Sequence, residues 1–162
     1  MRNNIYKGIL AAGLILGFTA CSSDDSKDTQ KPTILLNAPK DGAKLEVGSD
    51  IHFDMEVSDN EMLGSYKIDI HENSDGHTHS VKRAAALNDM VEFSFQKQWS
   101  LEGQRNADVH HHEIVIPQNA ELGKYHFVVY VLDAAGNQSM EARSIQLVAA
   151  GEGDVSEEYS NH

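Results

Sequence analysis

Residues 50–58 read DIHFDMEVS, with Ile51, Phe53, Met55 and Val57 alternating against His52, Asp54 and Glu56. Successive side chains of an extended chain point to opposite faces, so such a segment buries one face as a β-strand. The same period of two recurs along the chain. Tyr66, Ile68 and Ile70 alternate with Lys67, Asp69 and His71, and Val91, Phe93, Phe95 and Trp99 share a face opposite Glu92, Ser94, Gln96 and Gln98. Tyr125 to Leu132 is almost continuously apolar (YHFVVYVL), as expected of a central strand buried on both sides. Ile145, Leu147 and Ala149 end the last strand. Helical periodicity is weak throughout, and only Arg83 to Leu87 could form one turn.

Turn signals separate these strands: Pro39-Lys-Asp-Gly42, Val47-Gly-Ser-Asp50, Glu61-Met-Leu-Gly64, Asn119 to Gly123, and Asp133-Ala-Ala-Gly-Asn137. Short alternating strands joined by such turns predict an all-β fold, an antiparallel immunoglobulin-like β-sandwich of about seven strands. Residues 32–150 are enough for one core. Cys21 is the only cysteine, so the chain cannot close a disulfide on itself and the core must hold by burial alone.

Residues 1–20 read as an export signal rather than as part of the domain. Arg2 and Lys7 precede a short apolar run from Ile9 to Phe18, too short for a membrane span, and small residues lead up to Cys21. FTAC resembles the lipobox of bacterial lipoproteins, with Phe18 where Leu is usual, which implies lipidation of Cys21 and insertion into outer-membrane lipid. An ordinary secretory signal that leaves a free thiol is the alternative. Residues 21–31 are polar and acidic, as in a disordered tether, and residues 151–162 read as a disordered acidic tail. The Ser-Asp-Asp run after Cys21 resembles the signal that sends Bacteroidota lipoproteins to the cell surface.

The formal charge is −12, and loss of residues 1–20 makes it more negative. That balance excludes nucleic acid as a natural partner and is compatible with cations.

The order PKDG, VSDNEML and LGKYHFVVYVLDAAGN resembles the immunoglobulin-like domains of bacterial surface proteins. Within that group, KIDIHENSDGHTHS followed by VHHHEIVIP resembles the lipoprotein domain-of-unknown-function family 4625. The resemblance covers nearly the whole mature domain. It implies a sandwich fold and an exported setting, and no activity.

Nine histidines occur, and six fall into two groups, His71, His77 and His79, then His110, His111 and His112. Imidazole is the commonest metal ligand. His71 lies on the face of Lys67 and Asp69, away from the core, ahead of a turn through Asn73, Asp75 and Gly76. His77 and His79 are two apart, so an extended backbone places their Cα atoms roughly 6.5 Å apart on one face. His110 to His112 are expected to open a strand, with His110 and His112 on the side of Ile114 and Ile116, and His111 on the side of Glu113 and Val115. The candidate ligands are therefore His71, His77, His79, His110 and His112, with Asp75, His111 and Glu113 as further ligands or partners that orient them. Convergence requires the strand ending at His71 to lie near the one carrying His110. His52 and His126 each stand alone on a strand and read as surface or packing residues, and His162 as incidental.

Imidazole and carboxylate without thiolate suit zinc, then copper or nickel. A calcium loop over His71-x-Asn73-x-Asp75-Gly76 fails at its first ligand and again at Lys82. His71-Glu72-x-x-Asp75 and His112-Glu113-x-x-Ile116 both miss HExxH, and no nucleophile elbow, P-loop or dinucleotide fingerprint occurs, so catalysis is not expected. The chain thus reads as a cell-surface lipoprotein that captures a divalent transition metal for an outer-membrane transporter. A metal that only pins the loop is a weaker option. The competing reading is a metal-free adhesion or accessory module contacting protein or glycan through its loops, above all Asn73 to Met90.

Overall fold

The computed structural model describes residues 27–73 and 89–154. They form eight strands: β1 (Thr33–Ala38), β2 (Lys44–Glu46), β3 (Asp50–Ser58), β4 (Leu63–Glu72), β5 (Phe95–Ser100), β6 (Asn106–Val115), β7 (Gly123–Asp133) and β8 (Gln138–Val148). Two sheets result, in the orders β1-β3-β6 and β2-β8-β7-β4-β5. Pairing is antiparallel except for the short β2–β8 ladder. This is the immunoglobulin-like sandwich that the alternation predicts. The extra strand, β2, has three residues, too few to carry a readable period.

The buried faces meet between the sheets. Ile51, Phe53, Met55 and Val57 of β3 pack with Tyr66, Ile68 and Ile70 of β4, with Tyr125, Phe127, Val129 and Val131 of β7, and with Ile145 and Leu147 of β8. Each large side chain buried in this way contributes about 1.5–3 kcal/mol, which replaces the cross-link the chain lacks. The near-continuous apolar run of β7 has the expected cause. It is the middle strand of five, and Val128 is buried on the face opposite the core.

Two strand boundaries differ from expectation. β5 begins at Phe95 rather than near Val91, which is exposed and forms only an isolated bridge to Ala120. Its backbone bonds the Asn119–Glu121 turn instead, through Asn119 O and Glu121 N at 2.9 Å each, while Phe93 still reaches the core. β6 begins at Asn106 rather than His110, because Ala107 already extends the inward-facing row. The histidine tract therefore sits inside a paired strand.

Gly64 marks a close approach that no other residue could make. A Cβ there would stand 2.8 Å from the backbone oxygen of Asp133 on β7, where the β4–β7 register shifts.

Candidate metal centre

β3 sends Ile51, Phe53 and Met55 inward, so Asp50, His52 and Asp54 line the outer face of the three-stranded sheet. β6 runs antiparallel beside it as the edge strand. From Ser58↔Asn106 to Phe53↔His111 the register is regular, but the next inward pair is Ile51↔Ile114. Two residues on β3 thus span three on β6, so His112 and Glu113 together oppose His52, a β-bulge. A regular ladder would pair Glu113 with Ile51 and turn its carboxylate toward the core. The bulge avoids that cost and returns Ile114 and Ile116 to the interior, both fully buried.

The bulge also corrects the expected facing of the tract. His110 and His112 point outward, opposite the side taken by Ile114 and Ile116. There they meet His52, whose ring the sequence had set aside as isolated. Ring centroids lie 4.8 Å apart for His52–His110, 5.1 Å for His52–His112 and 5.4 Å for His110–His112. Candidate ligand nitrogens of the three rings all lie within 4.8 Å of one another. His110 and His112 are exposed, and His52 is half-buried with Nε2 shielded from solvent.

The spacing can be tested against an ion. Imidazoles bound to one tetrahedral ion at about 2.05 Å, with a ring radius of about 1.15 Å, have centroids about 5.2 Å apart. The three observed separations bracket that value, while His52 and His112 are stacked with planes 8° apart, so one of these rings must turn to aim its nitrogen at a shared ion. The nitrogens themselves would close to about 3.4 Å, a movement supplied by rotation of the exposed rings about their soft χ2 torsions.

Carboxylates back two of the rings. Nδ1 of His112 lies 2.6 Å from Asp50 Oδ2, and Nδ1 of His110 lies 3.4 Å from Asp54 Oδ2. Asn37 Nδ2 donates to the other Asp54 oxygen at 2.9 Å and to Glu56 at 3.3 Å. A histidine that donates from Nδ1 to a carboxylate presents Nε2 as an acceptor, the orientation found behind metal-bound imidazoles.

The other expected ligands among the described residues lie elsewhere. His111 points inward against Phe53 at 4.9 Å, Trp99 at 5.0 Å and Tyr66 at 6.4 Å between ring centroids. Neither of its nitrogens has a hydrogen-bond partner among the described residues, and burial pushes its pKa down against the pull of Glu113. It is a neutral packing ring. Glu113 is committed to the seam between the edge strands, 2.5 Å from Lys97 Nζ and accepting from Trp99 Nε1 at 3.2 Å. Those two bonds hold its carboxyl below its usual range. Burial, then the nearby Glu113 charge, raise the Tyr66 hydroxyl far above its ordinary pKa.

His71 is on β4 of the other sheet and faces outward there, so the sandwich core separates it from His110 and His112. The two tracts do not converge through His71. Its Nδ1 lies 3.0 Å from Asp69 Oδ1, and its ring is 5.5 Å from that of His126. His77, His79 and Asp75 fall outside the described residues, as do Cys21 and His162.

A second acidic group, Asp28, Asp59 and Asp133, gathers at the end of the sandwich that holds the β7–β8 turn. Turn chemistry accounts for Asp133, which accepts from the Asn137 amide N at 2.7 Å and from Asn137 Nδ2 at 2.6 Å. The same Nδ2 reaches the backbone oxygens of Asp28 at 3.1 Å and Gln30 at 3.2 Å, tying the entering chain to the domain.

The family described as domain of unknown function (DUF4625) matches residues 19–148. The chain belongs to this family. No curated protein matches it. Among solved structures, the chain is similar to the fibronectin(III)-like modules of Clostridium thermocellum CbhA, at 11% identity and a TM-score of 0.32, over 71% of this chain and 94% of that one.

His52 is the ligand candidate that sequence reasoning missed. Its signal was present in the alternation, which puts Asp50, His52 and Asp54 on one outward face as DxHxD. Recognising it required knowing that β3 pairs with β6 and not with β4.

Proposed function

We propose that this family member binds a divalent transition metal through His52, His110 and His112 on the outer face of its three-stranded sheet. The observation that carries the reading is the set of three ring separations, each close to that of imidazoles around one tetrahedral ion, with Asp50 and Asp54 behind two of the rings. Three nitrogen donors without thiolate favour zinc, with copper and nickel as competitors. Three ligands also leave a coordination position open, which suits an ion that is captured and passed on rather than locked in.

In the cellular setting we propose, Cys21 is lipidated and the domain stands on a short acidic tether at the outer face of the outer membrane. It binds ions for hand-over to an outer-membrane transporter, and binding rather than catalysis is its role. The test is calorimetric titration of the demetallated chain with Zn²⁺, Cu²⁺ and Ni²⁺. One saturable ion at the histidine triplet is expected, weakening on acidification because bound imidazoles must be deprotonated. Absence of saturable binding contradicts the proposal. A domain that stays folded after chelation, with its melting temperature lowered only by the lost binding energy, is expected of a capture site, whereas a large loss of thermal stability would mark a metal that holds the fold.

One observation favours a second reading, a metal-free module for protein or glycan. A depression of about 640 Å³ is lined by Trp99, Gln98, Ser65, Ser100, Glu102 and Met62. An aromatic ring beside amide and hydroxyl groups suits a sugar or peptide, although Tyr66 stacks on this ring and the Lys97 ammonium lies over it. Trp99 is the only tryptophan, so its fluorescence would report occupancy directly.

A further inference from the structure

His71 and His126 are exact register partners on β4 and β7, on the outer face of the five-stranded sheet. Side chains directly opposite across an antiparallel pair start from Cβ atoms about 4.5–5.5 Å apart. Here the rings lie 5.5 Å apart between centroids and are inclined at 49°. Two imidazoles on one ion at about 2.05 Å, with a ring radius of about 1.15 Å, reach this separation at a wide tetrahedral angle. Nδ1 of His71 lies 3.0 Å from Asp69 Oδ1, and the other Asp69 oxygen accepts from Gln96 Nε2 at 2.8 Å. His71 is thereby oriented as a ligand is, with Nε2 left to accept. Its side chain is 49% exposed, so an ion can reach it from solvent.

We infer that His71 and His126 form a second, weaker site for a divalent transition ion on the sheet opposite the histidine triplet, completed by water. Both ligands come from paired strands rather than loops, so their spacing is fixed before an ion arrives. Two donors instead of three place its affinity below that of the triplet. This inference does not rest on the triplet's being a metal site.

The test is Cu²⁺ titration of the full chain carrying His52→Ala, read from paramagnetic broadening of individual imidazole resonances. His71 and His126 are expected to broaden together, with one midpoint. Replacing His126 by Gln should raise the midpoint for His71 about 10²-fold, the low end of the advantage lost when two linked contacts become one. Should His126→Gln disturb the amide spectrum of β7, His71→Ala at the exposed end of β4 gives the same test from His126. A midpoint unmoved by losing the partner would overturn the inference. Failure of the triplet to bind metal would leave these outcomes unchanged.

Discussion

Nδ1 of His112 lies 2.6 Å from Asp50 Oδ2, across the point where β6 bulges against β3. The regular ladder from Ser58↔Asn106 to Phe53↔His111 already carries this imidazole opposite His52, and the bulge just beyond it keeps Glu113 out of the core. The pairing of β3 with β6 thus sets the geometry of the candidate metal centre.

Asp50 should therefore act on the metal through His112. Asp50→Ala is expected to weaken Zn²⁺ binding 10–100-fold, about the loss found when such carboxylates are removed. Asp108→Ala on the same sheet, a carboxylate that makes no hydrogen bond or ion pair to the rings, should change it less. Equal effects of the two variants would show that net charge, not orientation, is what matters.

His111 separates packing from ligation within the tract. His111→Phe replaces a ring whose two buried nitrogens lack partners, so the variant should be at least as stable as the parent. Its Zn²⁺ affinity should be unchanged. Thermal melting and zinc titration at one pH measure both, and a loss of binding with the fold intact would assign His111 to the site.

Acid stability should depend on Asp133. Burial acts to raise its pKa, but the hydrogen bonds from Asn137 and the turn backbone outweigh it, and the carboxyl titrates below its usual value. A depressed native pKa contributes stability above the unfolded value, which is lost as pH falls through the native one. The loss attributable to Asp133 should thus appear below about pH 3.9. Asn137→Ala removes the Nδ2 bond to Asp133 and leaves the backbone bonds in place, so its acid-unfolding midpoint should lie at higher pH than the parent's. Coincident midpoints by circular dichroism would contradict this.

Gly64→Ala tests the β4–β7 approach. The new methyl would stand 2.8 Å from the Asp133 backbone oxygen, which cannot swing away as a side chain does. A destabilisation of about 1–3 kcal/mol is expected from overpacking, measured by urea unfolding. A neutral result would mean that the bulge at Leu63–Ser65 relaxes freely.

The sandwich was legible because β3, β4 and β7 each show their buried face in the alternation, and none needs its neighbour to be recognised. The site was legible only in part. His110 and His112 stood out as a tract, but the register that joins them to His52 is a long-range property. A bulge in one strand moves side chains between faces without leaving a mark in the local pattern. Proximity in sequence pointed to His71, which the topology places on the other sheet. Glu113 looked like a ligand beside His112, yet Lys97 and Trp99 claim its carboxylate, contacts that depend on two edge strands meeting.

In the proposed arrangement His52 completes the principal metal site and His71 does not. Zn²⁺ titration of the parent chain, His52→Ala and His71→Ala distinguishes the two. The tightest binding step is expected to disappear in His52→Ala and to persist at parental affinity in His71→Ala. Persistence of that step in His52→Ala, or its loss in His71→Ala, would contradict that arrangement.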